Sequence, residues 1–194
     1  LIREGIIMEQ IRKITMVAVK FLFVMTILLG GIYSLSLVGI GQLAFNSAAN
    51  GSIVEVHLKD GTVKQYGSEL IGQEFTKPEY FIGRPMEVSN LAPGSEEQQK
   101  LVESRITWWR NFDELNTSDI PADLVFASGS GVDPYISVEA AEFQVARIAR
   151  VRNMSVEEVE QLVSKATENP TLGIFGEKRV HVLKLNLLLD GYEI

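Results

Sequence analysis

At 194 residues and 46% hydrophobic, the chain has room for one ordinary domain and an appendage. It carries no cysteine, which excludes disulfides, thiolate zinc sites and cysteine nucleophiles. Beyond Phe45 there are 23 acidic residues against 14 basic ones, a formal charge of −9 that gives this part no electrostatic reason to bind nucleic acid.

No charged residue occurs from Phe21 to Phe45. As a helix, the apolar run from Phe21 to Gly41 spans about 32 Å, enough for a bilayer core of roughly 30 Å. The competing reading is a cleaved signal peptide, for which the small residues Asn46-Ser47-Ala48-Ala49 offer a place. Length favours a retained anchor. Arg3, Arg12, Lys13 and Lys20 precede the run, whereas the first basic residue after it is Lys59. That asymmetry predicts residues 1–20 in the cytoplasm, residues 21–45 as a single transmembrane helix and residues 46–194 as an extracytoplasmic domain. Within the span, Gly30 and Ser34 form a small-xxx-small pair, with Gly41 beyond, which points to a membrane-embedded partner.

Residues 53–58 and 62–66 flank Asp60-Gly61 and read as a β-hairpin, with Val54, Val56 and Leu58 on one face. Residues 67–95 are punctuated by Gly and Pro and read as irregular structure packed by Phe75, Tyr80 and Phe81. A helix follows to Phe112, capped by Ser95 with Gln98 three residues on, and striped by Leu101, Val102, Ile106 and Trp109.

The stretch Ala127 to Pro134 is rich in glycine: Ser128, Gly129, Ser130, Gly131 and Asp133 are its candidate functional residues. A phosphate-binding loop is one reading, but no Lys-Ser/Thr pair follows Gly131. The better reading is a tight turn with positive φ at Gly129 and Gly131. Ser128 and Ser130, with His57 or His181 as base, are the ingredients of a serine hydrolase, yet the G-x-S-x-G elbow is missing. Two distant histidines define no metal-ligand spacing.

A helix from Ser137 to Arg152 presents Val138, Ala141, Val145 and Ile148 on one face. Gln144 lies on that apolar face and needs partners for its oxygen and its NH2 group; a neighbouring loop is the first choice and a ligand the second. Arg147 and Arg150 are expected at the rim, as candidate contacts for a partner. The next helix starts at Ser155 with Glu158 completing a capping box, and buries Val156, Val159, Leu162, Val163 and Ala166. Gly173 and Gly176 flank Ile174-Phe175 in a tight loop. Val180 to Leu189 reads as a strand with Leu183, Leu185, Leu187 and Leu189 on one face. Helices and strands without regular alternation predict an α+β domain.

Several segments, in order, resemble the C subunit of the bacterial Kdp potassium-transporting ATPase: GIYSLSLVGIGQLAF (31–45), GSELIGQEFTKPEYFIGRP (67–85), DLVFASGSGVDPYIS (123–137), EAAEFQVARIARVRNMS (139–155) and VLKLNLLLDG (182–191). The stretch between the GRP motif and the next helix is shortened to Ser89–Gly94. Tyr135 stands where that family typically has His, and His181 where it commonly has Asn. The resemblance implies a non-catalytic subunit of a four-part complex that uses ATP to import potassium through the plasma membrane. A P-type ATPase subunit carries the phosphorylation chemistry, a channel-like subunit carries the ion, and a small membrane subunit completes it. ATP and potassium act in the complex, and no cofactor is assigned to this chain. The family is described as a catalytic chaperone that raises nucleotide affinity, and the glutamine matching Gln144 is proposed to touch the nucleotide. The charge asymmetry puts Gln144 on the opposite side of the membrane from ATP. The expectation is therefore an outer domain clamping the pump's external face, with indirect coupling to ATP use. A membrane-anchored extracytoplasmic binding module is the alternative.

Overall fold

The computed structural model describes residues 2–88 and 90–193, so Ser89 at the start of the shortened stretch lies outside the described residues. The chain divides into two compact units, residues 1–51 and 52–194.

The first unit is helical from Ile2 onward, well before the predicted start at Phe21. Helix α1 (Ile2–Met25) passes into a π-helical stretch (Thr26–Tyr33), then α2 (Ser34–Ala44) and a short α3 (Asn46–Ala49). The early start follows from residues 6–20, which hold neither Gly nor Pro and are bridged by the Glu9–Lys13 ion pair at i,i+4, 2.8 Å. The i→i+5 winding encloses Gly30-Gly31, where the missing side chains make a wider turn easy. The helix over residues 5–44 contains an 18-residue window of mean hydropathy 2.2 and is long and apolar enough to cross a membrane. Three hydroxyls in this helix bond backward to its own carbonyls, Thr26 to Leu22, Ser34 to Leu29 and Ser36 to Ile32.

In the second unit, β1 (Ile53–His57) pairs antiparallel with β2 (Val63–Ser68), the predicted hairpin. Val54 and Val56 are buried while Ile53, Glu55 and His57 face out, as the alternation requires. Residues 69–94 hold no strand or helix among those described. Helix α4 (Glu96–Phe112) starts at Ser95, whose hydroxyl accepts from the Gln98 amide. Its buried face centres on Trp109, and Ile106 is exposed rather than part of the stripe.

After a 3-10 turn at Ala122–Leu124, β3 (Tyr135–Ser137) leads into α5 (Val138–Arg152), capped by the Ser137 hydroxyl. Helix α6 (Val156–Ala166) has the predicted capping box of Ser155 and Glu158, whereas Val156 at its first position points to solvent. Strands β4 (Thr167–Glu168) and β5 (Arg179–His181) complete a sheet of order β3-β5-β4, antiparallel throughout.

Of the predicted C-terminal strand only Val180 and His181, the end of β5, are extended; Val182–Leu189 is helix α7. The alternating leucines have another cause. Leu185 and Leu189 enter the main core with Ile148, Val159 and Val180, while Leu183 and Leu187 pack with Val54 and Val56 of the hairpin. Two i,i+4 pairs on opposite sides of a helix buried between two layers reproduce a period of two. A short apolar run does not separate helix from strand, and leucine favours the helix.

Candidate functional site

The segment Lys77 to Gly83 has no strand to pair with, so its buried peptide groups need other partners. Four side chains from two helices supply them. Asn186 on α7 accepts from the Phe81 amide at 2.8 Å and donates to the Phe81 carbonyl at 2.9 Å. Gln144 on α5 does the same for the next peptide, accepting from the Ile82 amide at 2.9 Å and donating to the Ile82 carbonyl at 3.0 Å. Arg147, one turn on, donates to the carbonyls of Pro78 and Tyr80, and Arg152 to that of Glu79 at 2.7 Å. Phe81 sits fully buried between the two helices. The segment is gripped like a strand by carboxamides and guanidiniums in place of a sheet edge.

Gln144 is 1% exposed and its hydrogen-bonding capacity is fully used. Its NH2 group also donates to Ala140 at 3.1 Å, and its oxygen also accepts from Arg147 at 2.7 Å. Arg147 is likewise 1% exposed, not at the rim. Its guanidinium lies 5.0 Å over the Phe112 ring, and burial lowers its pKa to about 10, so it remains charged at neutral pH. Arg150 does reach the surface, where it holds the buried Asp113 carboxylate at 2.6 Å. The sequence singles out Gln144 but not Asn186, although a lone amide inside an apolar run is the same signal. Arg152 is not foreseen either, because nothing local marks it.

The glycine-rich loop is spent on itself. The Ser128 hydroxyl accepts from the amides of Gly131 at 2.9 Å and Asp133 at 3.4 Å, and Ser130 from that of Val132 at 3.2 Å. These amides would otherwise face an anion. Gly131 has φ +71°, as expected, but Gly129 does not adopt positive φ. The glycines matter for close approach: a Cβ on Gly72 would lie 2.8 Å from the Asp133 carbonyl oxygen, and one on Gly131 would lie 2.6 Å from Val88. Three segments cross here, with no room for side chains at the crossing.

Neither histidine is placed as a general base. His57 is exposed on β1, while both ring nitrogens of His181 are engaged, Nε2 with the Glu69 carbonyl at 3.0 Å and Nδ1 with the Lys184 amide at 3.4 Å. Two cationic groups near the loop are committed, Arg84 to Asp123 at 3.0 Å and Arg105 to Glu87 at 2.9 Å. Among the described residues no cluster could hold a metal ion. Gly30 and Ser34 lie exposed on the N-terminal helix.

The Tyr135 and His181 rings meet edge to face at 5.0 Å. His181 caps α7, a role asparagine can fill. Burial pushes the His181 pKa below its ordinary value, with the Lys184 charge acting the same way and Glu69 and Glu168 opposing it more weakly. Below about pH 6.5 the unfolded chain therefore binds a proton that the folded one resists, and stability falls with pH until the folded imidazole also titrates. The expected loss is at most about 1.4 kcal/mol per pH unit in that window. Chemical denaturation at about pH 7.5 and pH 5.5, on either side of the ordinary histidine value, checks this, with His181→Asn as control. Equal pH dependence in both proteins would exclude His181 as its source.

The chain matches the family model described as K+-transporting ATPase, c chain, over residues 15–191. It is 46% identical over 186 residues to a protein of Listeria monocytogenes, covering 94% of this chain and 98% of the relative. Proteins of Clostridium perfringens (46% over 203 residues, 95% and 98% covered) and Polaromonas naphthalenivorans (46% over 186 residues, 90% and 92%) are similarly close. All three are described as the potassium-transporting ATPase KdpC subunit. The chain belongs to the KdpC family, the c chain of K+-transporting ATPases.

Proposed function

We propose that this chain is a non-catalytic subunit of an ATP-driven potassium-uptake complex, acting beside a P-type ATPase subunit, a channel-like subunit and a small membrane subunit. The near full-length match to potassium-transporting ATPase subunits carries this reading. The long apolar helix supports anchoring in the plasma membrane, and the basic residues before it support a cytoplasmic N-terminus with residues 46–194 outside. On that topology the domain holds the assembly from its external face, and any rise in ATP affinity reaches the catalytic subunit through the membrane helices. The saturated hydrogen bonding of Gln144 supports the indirect route, because a nucleotide contact would first have to break the grip on residues 78–82.

The expected result is that the tagged full chain, extracted in mild detergent, brings the other three subunits with it. External protease on intact spheroplasts is expected to remove the C-terminal domain. Recovery of the chain alone would sink the subunit reading, and a domain resistant to protease would sink the orientation.

A further inference from the structure

We infer that the connection between β4 and β5 is a docking finger, whose tip enters an apolar pocket on the extracytoplasmic face of a membrane-embedded partner subunit. This rests on the subunit reading above. Leu172, Ile174 and Phe175 are 84%, 79% and 66% exposed, three large apolar side chains within four residues. No charge interrupts Asn169 to Gly176. Scattered exposed leucines need no explanation, but a tip made wholly of large apolar side chains does.

The tip is also built. Thr171 and Phe175 exchange backbone hydrogen bonds at 2.8 and 3.0 Å, and the Gly173 amide donates to the Pro170 carbonyl at 2.9 Å. Leu172 is held at φ +56°, a left-handed conformation that a leucine rarely adopts, and is followed by Gly173 and Gly176, also at positive φ. The stem is fixed to the domain. Arg179 pairs with Glu168 at 3.0 Å and lies 3.7 Å over the Tyr135 ring. A rigid apolar tip loses little entropy on binding, which is how an anchor residue works.

Charge and area select the occupant. The part of the chain beyond Phe45 is strongly acidic, and the stem balances Glu168 and Glu177 against Lys178 and Arg179, so no basic collar draws the finger to anionic headgroups. Three side chains offer on the order of 450 Å², so two fingers pressed together bury about 900 Å², short of the roughly 1,200 Å² of a stable specific interface. A pocket on another protein, continuous with further contacts, satisfies both constraints.

The chain's lack of cysteine makes the test direct. With Ile174→Cys, maleimide labelling in the purified complex is expected to be at least about tenfold slower than in the separately purified full chain, recovering on unfolding. Phe175→Ser should weaken association roughly thirtyfold while leaving the unfolding midpoint of the chain unchanged. Equal labelling in the complex would overturn the finger and leave the subunit reading standing, whereas absence of the chain from the complex would remove both. An environment-sensitive dye on the Ile174→Cys thiol that enters an apolar phase in phosphatidylethanolamine–phosphatidylglycerol vesicles holding this chain alone would assign the tip to lipid instead. Efficient disulfide cross-linking between two copies of the Ile174→Cys variant would assign it to a second copy.

Discussion

Replacing Arg147 by alanine is expected to lower the unfolding free energy by about 3–5 kcal/mol, the largest loss from any charged residue of the domain. The guanidinium donates to the Pro78 and Tyr80 carbonyls and to the Gln144 oxygen, and stacks on Phe112. Truncation leaves acceptors without a donor in a dry site, at about 1–3 kcal/mol each, and opens a cavity beneath Phe112. The burial that depresses its pKa works the other way, since removing the charge relieves a desolvation cost. The stranded carbonyls outweigh that relief because the helix and loop that carry them stay in place. Arg147→Lys should lose less, keeping the charge but not the planar fork that bridges three acceptors. Denaturant unfolding of the full chain in detergent, followed by Trp108 and Trp109 fluorescence, measures both. An alanine variant within about 0.5 kcal/mol of the parent, the range of a surface change, would show that the grip bears no weight.

What is legible in the sequence follows from where information is local. The hairpin at Asp60-Gly61 and the caps at Ser95 and Ser155 are set by a few adjacent residues, and each forms where expected. Helix α7 reads as a strand because its periodicity records two separate partners on opposite sides, which only the tertiary arrangement supplies. Arg147 defeats a rim assignment for a related reason. Arginine is ordinarily a surface residue, and the irregular segment whose carbonyls draw it inward lies 67 to 69 positions away. Gln144 shows the opposite case. Its place on an apolar face forces the conclusion that an amide must find partners, and the loop it finds is a neighbour in space at a separation of 62 residues. Local pattern announces the demand for a partner but not its address. The same demand at Asn186 is hidden by the leucines on either side.

Gln144→Ala is expected to cost about 2–4 kcal/mol of stability and to reduce the yield of assembled complex, while ATP affinity per assembled complex stays within about twofold of the parent. The stability loss comes from the Ile82 peptide, whose amide and carbonyl both lose their partner, with Ala140 and Arg147 losing one contact each. Asn186→Ala removes the matching grip on Phe81 and should behave alike. Because the two amides hold consecutive peptides, the second truncation acts on a segment already loosened, and the double variant should fall short of the sum by at least about 0.5 kcal/mol. Gln144→Glu separates folding from ligand chemistry. It keeps the oxygen that accepts from Ile82 and Arg147 and loses the donor to Ile82 and Ala140, so enough complex should assemble for nucleotide titration. A residue that serves through the fold gives the same ATP affinity in every complex that forms, whatever the substitution. A residue that touches nucleotide gives a normal quantity of complex with poor ATP binding, and that pattern in Gln144→Glu would defeat the external clamp and restore the direct contact.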